Sequence, residues 1–392
     1  MDYGRVYLWT SDPSTSEYGR LTTGVELLPR LMPASNSAKT LSGKYVRVSN
    51  GTEVYDTCPT TGAAIARHIG DATPNSEGDF LFEPGRGGGR LDKTPNPASD
   101  FLWRYTQAAR FGEVNTYYHL DRIAAYVDEL LHELGASPLP RVTAVVNAHH
   151  AITECNGRRD GVKGRNQWLP FQGGHYRLPS QRSSAIVEFS AVAPEGEIHL
   201  GPGWRLLDRG ALVEAAGGRY RANASHNAGI IYHEYGHHIT RHTADFCANS
   251  LRDPQRQSNR KSAIDEGTCD YWAATMLGTP HVWILHRSHE ASDVHVRSLV
   301  SKKTMDDFDP APQADPHSNG TVWGAALWDL RTRLDGSQRG GARYADTLVL
   351  KSLLLIGELR PRSKPTVKQV RIVRNDFSIA LDMLVLADTA LC

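Results

Sequence analysis

A chain of 392 residues with 44 Lys and Arg against 43 Asp and Glu carries a formal charge of only +1, which removes the electrostatic case for nucleic acid or an anionic membrane as a main partner. Its composition, 40% hydrophobic and 22% charged with 35 Gly and 21 Pro, describes a globular protein rich in turns and not a disordered one. The length exceeds the roughly 250 residues that a single core supports, so two or three lobes are expected.

Met1 to Thr10 lacks the basic start and continuous apolar stretch of a secretory signal, which reads as cytoplasmic as written, or secreted if the chain is a mature form. Residues 1–95 are rich in Gly, Pro, Ser and Thr and hold short β-type runs, Val6-Tyr7-Leu8-Trp9 and Lys44-Tyr45-Val46-Arg47-Val48; they predict a small β-rich N-terminal region. The glycine-rich segment Pro84 to Arg90 has no following Lys-Ser/Thr, so it reads as a connector and not as a phosphate cradle.

Between Glu113 and Leu134 the residues Val114, Tyr117, Leu120, Ala124, Val127, Leu131 and Leu134 recur at helical spacing, and Gly135 follows as a C-cap. Val142–Val146, Ala185–Phe189 and Glu197–Leu200 read as strands. After Gly218 the pattern turns helical, with segments near 226–247, 262–277, 320–334, 342–358 and 366–388. These periodicities divide the chain into a β-rich region at 1–95, a β-containing lobe at 96–240 and a helical lobe at 241–392. The longest apolar run, Leu353 to Ile356, is far short of the ~20 residues that cross a bilayer, so no membrane partner is expected. Cys58, Cys155, Cys247, Cys269 and Cys392 are odd in number and widely spaced; they suggest neither a disulfide framework nor a thiolate metal site and read as incidental.

The chemistry concentrates at Tyr232-His233-Glu234-Tyr235-Gly236-His237-His238, an HExxH element in a helical stretch that Ser225 could cap. Residues i and i+4 share a helix face, so His233 and His237 can offer two imidazoles to one zinc ion, while Glu234 beside them can serve as a general base. Such a motif alone is suggestive, and partners are needed. Ser262-Ala263-Ile264-Asp265-Glu266-Gly267-Thr268-Cys269-Asp270 supplies them: Ser262 and Asp265 read as a capping box, Gly278-Thr279-Pro280 as a stop, and Glu266 and Asp270 fall one turn apart. Two carboxylates on a helix otherwise lined by Ala263, Ala273, Ala274 and Leu277 need a positive charge opposite them.

The pair HEYGHHIT and DEGTCDYWA resembles the two active-site helices of thermolysin-like and, more closely, fungalysin-like gluzincins. That resemblance implies an α+β, zincin-like, two-lobed metallopeptidase with one catalytic Zn²⁺. It makes Glu266 the third ligand beside His233 and His237, and Asp270 the partner that orients His233. Val296-Arg297-Ser298-Leu299 is similar to the family segment whose arginine binds a substrate carbonyl, which nominates Arg297. Asp315-Pro316-His317-Ser318-Asn319-Gly320 resembles the segment that donates to the oxyanion, which nominates His317, with Asp315 orienting it. The family's tyrosine donor has no counterpart between His238 and Glu266, leaving Tyr271, Tyr235 or another segment. Its Asn-Ala substrate edge is matched by both Asn147-Ala148 and Asn223-Ala224. Structural Ca²⁺ belongs to the resemblance too, but no acidic loop spells out a site.

His149, His150, His286, His289 and His295 lack the accompanying carboxylate spacing, and His238 and His242 turn away from the ligand face; all read as structural or ordinary polar groups. The expected activity is hydrolysis of peptide bonds, with a peptide or protein substrate and an endopeptidase mode preferred; the oligomeric state is not legible. The alternatives are an aminopeptidase or other amide hydrolase, and a non-catalytic binding protein on a peptidase fold.

Overall fold

In the computed structural model, which describes residues 2–10, 20–32, 39–50, 70–84, 97–152, 167–170, 173–179, 186–187, 192–201, 205–208, 211–214, 223–282, 297–336 and 340–391, helix α1 (Pro97–Glu133) buries Val114, Tyr117, Leu120, Ala124, Val127 and Leu131. It starts well before the expected Glu113, with Pro97 at its first position, where a missing N–H costs no helical hydrogen bond. Gly135 follows at φ 63°, the left-handed conformation that ends helices.

Strands β1 (Tyr3–Thr10) and β2 (Arg20–Leu27) pair antiparallel from Tyr3 opposite Leu27 to Thr10 opposite Arg20. β3 (Val46–Asn50) runs parallel to β4 (Val142–Val146), so a crossover is required, and α1 lies within it. β5 (His149–Ile152), β6 (Gln167–Pro170) and β8 (Ile186–Val187) form a small antiparallel sheet in the order β6-β5-β8. β7 (Gly174–Arg177) pairs antiparallel with β9 (Glu197–Leu200), which runs parallel to β4. This completes a four-stranded sheet in the order β3-β4-β9-β7. The N-terminal region thus lends a strand to the sheet of the lobe that follows it. β10 (Arg205–Asp208) and β11 (Ala211–Glu214) are an antiparallel pair. Of the strand expected at Ala185–Phe189, the two residues of β8 are present and the rest lie outside the described residues.

Helix α2 (Ala228–His242) buries every residue from Ala228 to Thr240. Asn227, not Ser225, caps it: the Asn227 side chain accepts from the N–H groups of Gly229 and Ile230, as Asn does well at this position. Ser225 lies instead in the preceding 3-10 turn, Ala224–His226. Helix α3 (Ala263–Leu277) starts at Ser262, which accepts from the Asp265 N–H, and stops at Gly278 with φ 68°. α4 (Pro316–Asp335) packs on α3, and α3 packs on α2. α5 (Gly341–Glu358) follows.

The single helix expected over 366–388 is two, α6 (Val367–Arg374) and α7 (Phe377–Leu391). Asp376 breaks it, because its carboxylate accepts from the N–H groups of Ser378 and Ile379 and caps a new helix. Seven α-helices and four small sheets therefore make up the described residues, a mixed α/β protein. None of these helices is long and apolar enough to cross a membrane.

Candidate metal centre

Two buried helices carry the predicted residues to one place. Gly236 on α2 faces Cys269 on α3 so closely that a Cβ at Gly236 would lie 2.7 Å from the Cys269 Cα. This approach sets the α3 carboxylates against the α2 imidazoles. His233 Nε2 is 3.0 Å and His237 Nε2 3.6 Å from the same oxygen, Glu266 Oε2. The two imidazole rings stand nearly perpendicular, 89° apart, with centroids separated by 5.0 Å. All three residues are buried.

Each histidine is steered from behind. His233 Nδ1 meets Asp270 Oδ1 at 2.7 Å, the partner the motif predicts, and Asp270 is held in turn by Arg297 Nε at 2.6 Å. His237 Nδ1 meets Asp265 Oδ2 at 3.2 Å and Cys269 Sγ at 3.1 Å. Both partners of His237 escaped the sequence reading. Asp265 was expected to reach back to the Ser262 N–H; it accepts instead from Thr240 Oγ1 at 2.6 Å, so it belongs to the α2–α3 contact. Cys269, expected to be incidental, lies against the imidazole. Asp265-Glu266 and Cys269-Asp270 are two adjacent pairs one turn apart, but which member of each pair meets His237 depends on how α3 is rotated against α2.

Charge is strongly coupled here. Burial opposes the ionised form of Glu266, yet His237, together with contacts from His233 and His317, holds its carboxyl well below the ordinary range. Burial likewise opposes charge on His237, but Cys269, Asp265 and Glu266 pull its pKa well above the usual imidazole value. For His233 the Asp270 contact outweighs burial in the same direction. Burial raises the Cys269 thiol, keeping it neutral. The pocket is thus built for positive charge at the imidazoles.

His317 and Arg297 complete the cluster. His317 Nδ1 lies 2.8 Å from Glu266 Oε2, and Arg297 donates through NH2 to His317 Nδ1 at 2.7 Å. Ligand atoms of His233, Glu266 and His317 lie within 4.8 Å of one another, as do those of His233, His237 and Cys269. These His, Cys and Glu groups, all buried except the partly exposed His317, could hold a metal ion. Glu234 sits next to the same face, 5% exposed, with its Oε2 buried and without a hydrogen-bond partner, and its side chain lies against Gly174 of β7.

No protein-family model matches the chain, and no curated protein matches it either. The site's geometry and the motif resemblance therefore carry the functional argument.

Some expectations are corrected. Asp315 does not orient the His317 ring; its Oδ1 accepts from the His317 backbone N–H at 3.0 Å and caps α4. Neither tyrosine offered as a second donor faces the cluster: the Tyr271 hydroxyl donates to Asp346 Oδ1 at 2.5 Å, and the Tyr235 ring lies against His238. Asn147 donates to Asn50 Oδ1 at the ends of β4 and β3, and Asn223 caps the 3-10 turn, so the strand that lies against Glu234 is β7. His238 and His242 do face away as read, the first toward the Pro140 carbonyl and the second toward that of Glu195. His286, His289 and His295, with Cys58, Cys155 and Cys392 and the glycine-rich stretch 85–90, lie outside the described residues.

Proposed function

We propose that this chain is a zinc-dependent peptidase of the gluzincin type, with a zincin-like pair of lobes: a β-containing front ending in α2 and a helical back carrying α3 and α4. The observation that carries the reading is the state of Glu266 Oε2. It is buried and makes no hydrogen bond, although ring nitrogens of His233, His237 and His317 lie 2.8–3.6 Å away. A buried carboxylate oxygen costs several kcal/mol to strip of partners, and a cation shared with the imidazoles would offset that cost. The donor set, two histidines and one glutamate, is a catalytic zinc set and not a structural one.

His233, His237 and Glu266 would hold Zn²⁺, which supplies Lewis acidity toward a water and toward a substrate carbonyl. Asp270 and Asp265 keep the Nδ1 protons of the two imidazoles pointing away, so that each Nε2 presents its lone pair inward. Glu234 takes the proton of the attacking water on its unpartnered Oε2 and delivers it to the leaving amine. His317 donates to the developing oxyanion. Arg297, anchored on Asp270, is the candidate contact for a substrate carbonyl. The substrate is a peptide or protein.

Metal analysis of the purified protein is expected to find about one zinc per chain. Glu234→Gln should retain that zinc and lose about 100- to 10,000-fold in peptide hydrolysis, the usual worth of a general base. Full activity in this variant, or a wild-type protein without bound metal, would refute the assignment.

A further inference from the structure

Strand β7 ends the four-stranded sheet and, among the described residues, pairs with β9 alone, so its other side is an edge. One step beyond the paired residues, the Gly201 N–H donates to the Gly173 carbonyl at 2.9 Å. In an antiparallel pair, residues whose backbone groups face the neighbour alternate with residues whose groups face away. His175 and Arg177 therefore turn theirs to β9, while Gly174, Tyr176 and Leu178 turn theirs outward to the edge.

The two ends of this edge differ. Its first outward residue, Gly174, lies against the Glu234 side chain. Its last, Leu178, is already paired: the Leu178 N–H donates to Asn259 Oδ1 at 2.6 Å, and its carbonyl accepts from Asn259 Nδ2 at 3.1 Å. One side-chain amide thus makes both hydrogen bonds that a residue of an added strand would make. Pro179 follows, with no N–H to offer. Asn259 is itself held from both sides, since the Ser258 N–H donates to Asn249 Oδ1 at 2.9 Å and the Arg260 carbonyl accepts from Cys247 Sγ at 2.7 Å.

We propose that Asn259 is a stop for the substrate backbone, so that a peptide lying along β7 pairs with Gly174 and Tyr176 and cannot pair beyond them. An extended chain adds to a sheet edge through main-chain hydrogen bonds, so an edge of limited length measures the chain laid on it. From Gly174 to Leu178 the strand advances about 13–14 Å at ~3.4 Å per residue, which leaves room for about three substrate residues on that side of Glu234. The cut then falls near one end of the substrate. The inference rests on the peptidase reading above, because it takes Glu234 as the point of cutting, and it turns the endopeptidase mode expected from the sequence into one confined to a chain end.

The test is digestion of a ladder of peptides of increasing length by zinc-loaded wild type, Asn259→Ala and Asn259→Asp, with products identified by mass spectrometry and metal uptake followed with Co²⁺ as a substitute for Zn²⁺. Wild type should cut within about three residues of one terminus. Asn259→Ala frees both Leu178 groups and should raise the ratio of internal to terminal cuts by about tenfold, the worth of one or two hydrogen bonds. Asn259→Asp can still accept from the Leu178 N–H but has no proton for its carbonyl, so it should fall between the two; a merely structural residue would change the overall rate without moving the cut. Wild-type cuts deep inside long peptides overturn the stop and leave the peptidase reading standing, and that result decides even if the variants fail to fold. A folded Asn259→Ala that cuts where wild type cuts overturns it as well. Wild type that takes up Co²⁺ yet cleaves no member of the ladder removes the peptidase reading, and the stop falls with it.

Discussion

Glycine at position 174 leaves room for the Glu234 carboxylate, the general base of the proposed function. A Cβ there would stand 2.7 Å from Glu234 Cγ, 3.0 Å from its Oε1 and 2.8 Å from Ile230 Cγ2. The Glu234 Cγ lies near the root of its side chain, so relief requires moving the whole carboxylate. Gly174→Ala should therefore leave bound zinc in place and lower turnover by about 100-fold, the cost of misplacing a catalytic group by about 1 Å. Zinc content and turnover measured on the same preparation check this; unchanged turnover would mean that β7 does not position Glu234. The same scale shows what the sequence could reveal. His233, Glu234, His237, Glu266 and Asp270 are legible because helical spacing places each on a face. Asp265 and Cys269 are not, because their role depends on how far α3 is rotated against α2, which no local pattern encodes. Asp315 satisfied a backbone N–H where the resemblance wanted a ring partner.

At the scale of elements, the centre depends on how closely α3 and α4 approach. A Cβ at Gly320 would meet the Ala263 carbonyl at 2.7 Å and the Gly267 N at 2.8 Å, and one at Gly267 would meet the Gly320 carbonyl at 2.3 Å. These neighbours are backbone and cannot rotate aside. Gly320→Ala must therefore push the helices apart, at a cost of about 1–3 kcal/mol for overpacking, and carry His317, one turn earlier on α4, away from Glu266. Chemical denaturation should show the destabilisation. Co²⁺ affinity should fall with it, whereas a purely local strain would leave metal binding intact. The helices themselves were legible from periodicity and caps, but their crossings were not. Glycine at 267, 320 and 324 looks unfavourable for a helix when read locally; only the crossing explains it. The break at Asp376 was hidden for the opposite reason, since the apolar period runs through it while a side-chain cap ends the helix.

On the scale of the whole molecule, Glu113 ties distant parts of the chain. From α1 it accepts from the Ala72 N–H at 2.9 Å and from Asn50 Nδ2 at 3.1 Å, and Asn50 in turn accepts from Asn147. The N-terminal region, α1 and the ends of β3 and β4 thus meet at one buried carboxyl, a junction that composition could not reveal because every participant is an isolated polar residue. Burial raises the Glu113 pKa from 4.5 to about 8, with Asp71 adding to the rise and the Ala72 N–H, Asn50 and Arg110 opposing it. The folded protein therefore keeps a proton that the unfolded chain releases near pH 4.5. The stability this contributes is complete below that pH and is lost as pH climbs through about 8, a difference on the order of 5 kcal/mol by linkage. Gln in place of Glu113 imitates the protonated form at every pH. Urea unfolding at pH 5 and pH 8.5 should then show a wild type that weakens markedly toward the alkaline side and a Glu113→Gln protein that weakens much less. Parallel losses in the two proteins would mean that Glu113 is already ionised in the folded state and that its neighbours, not its proton, hold the junction together.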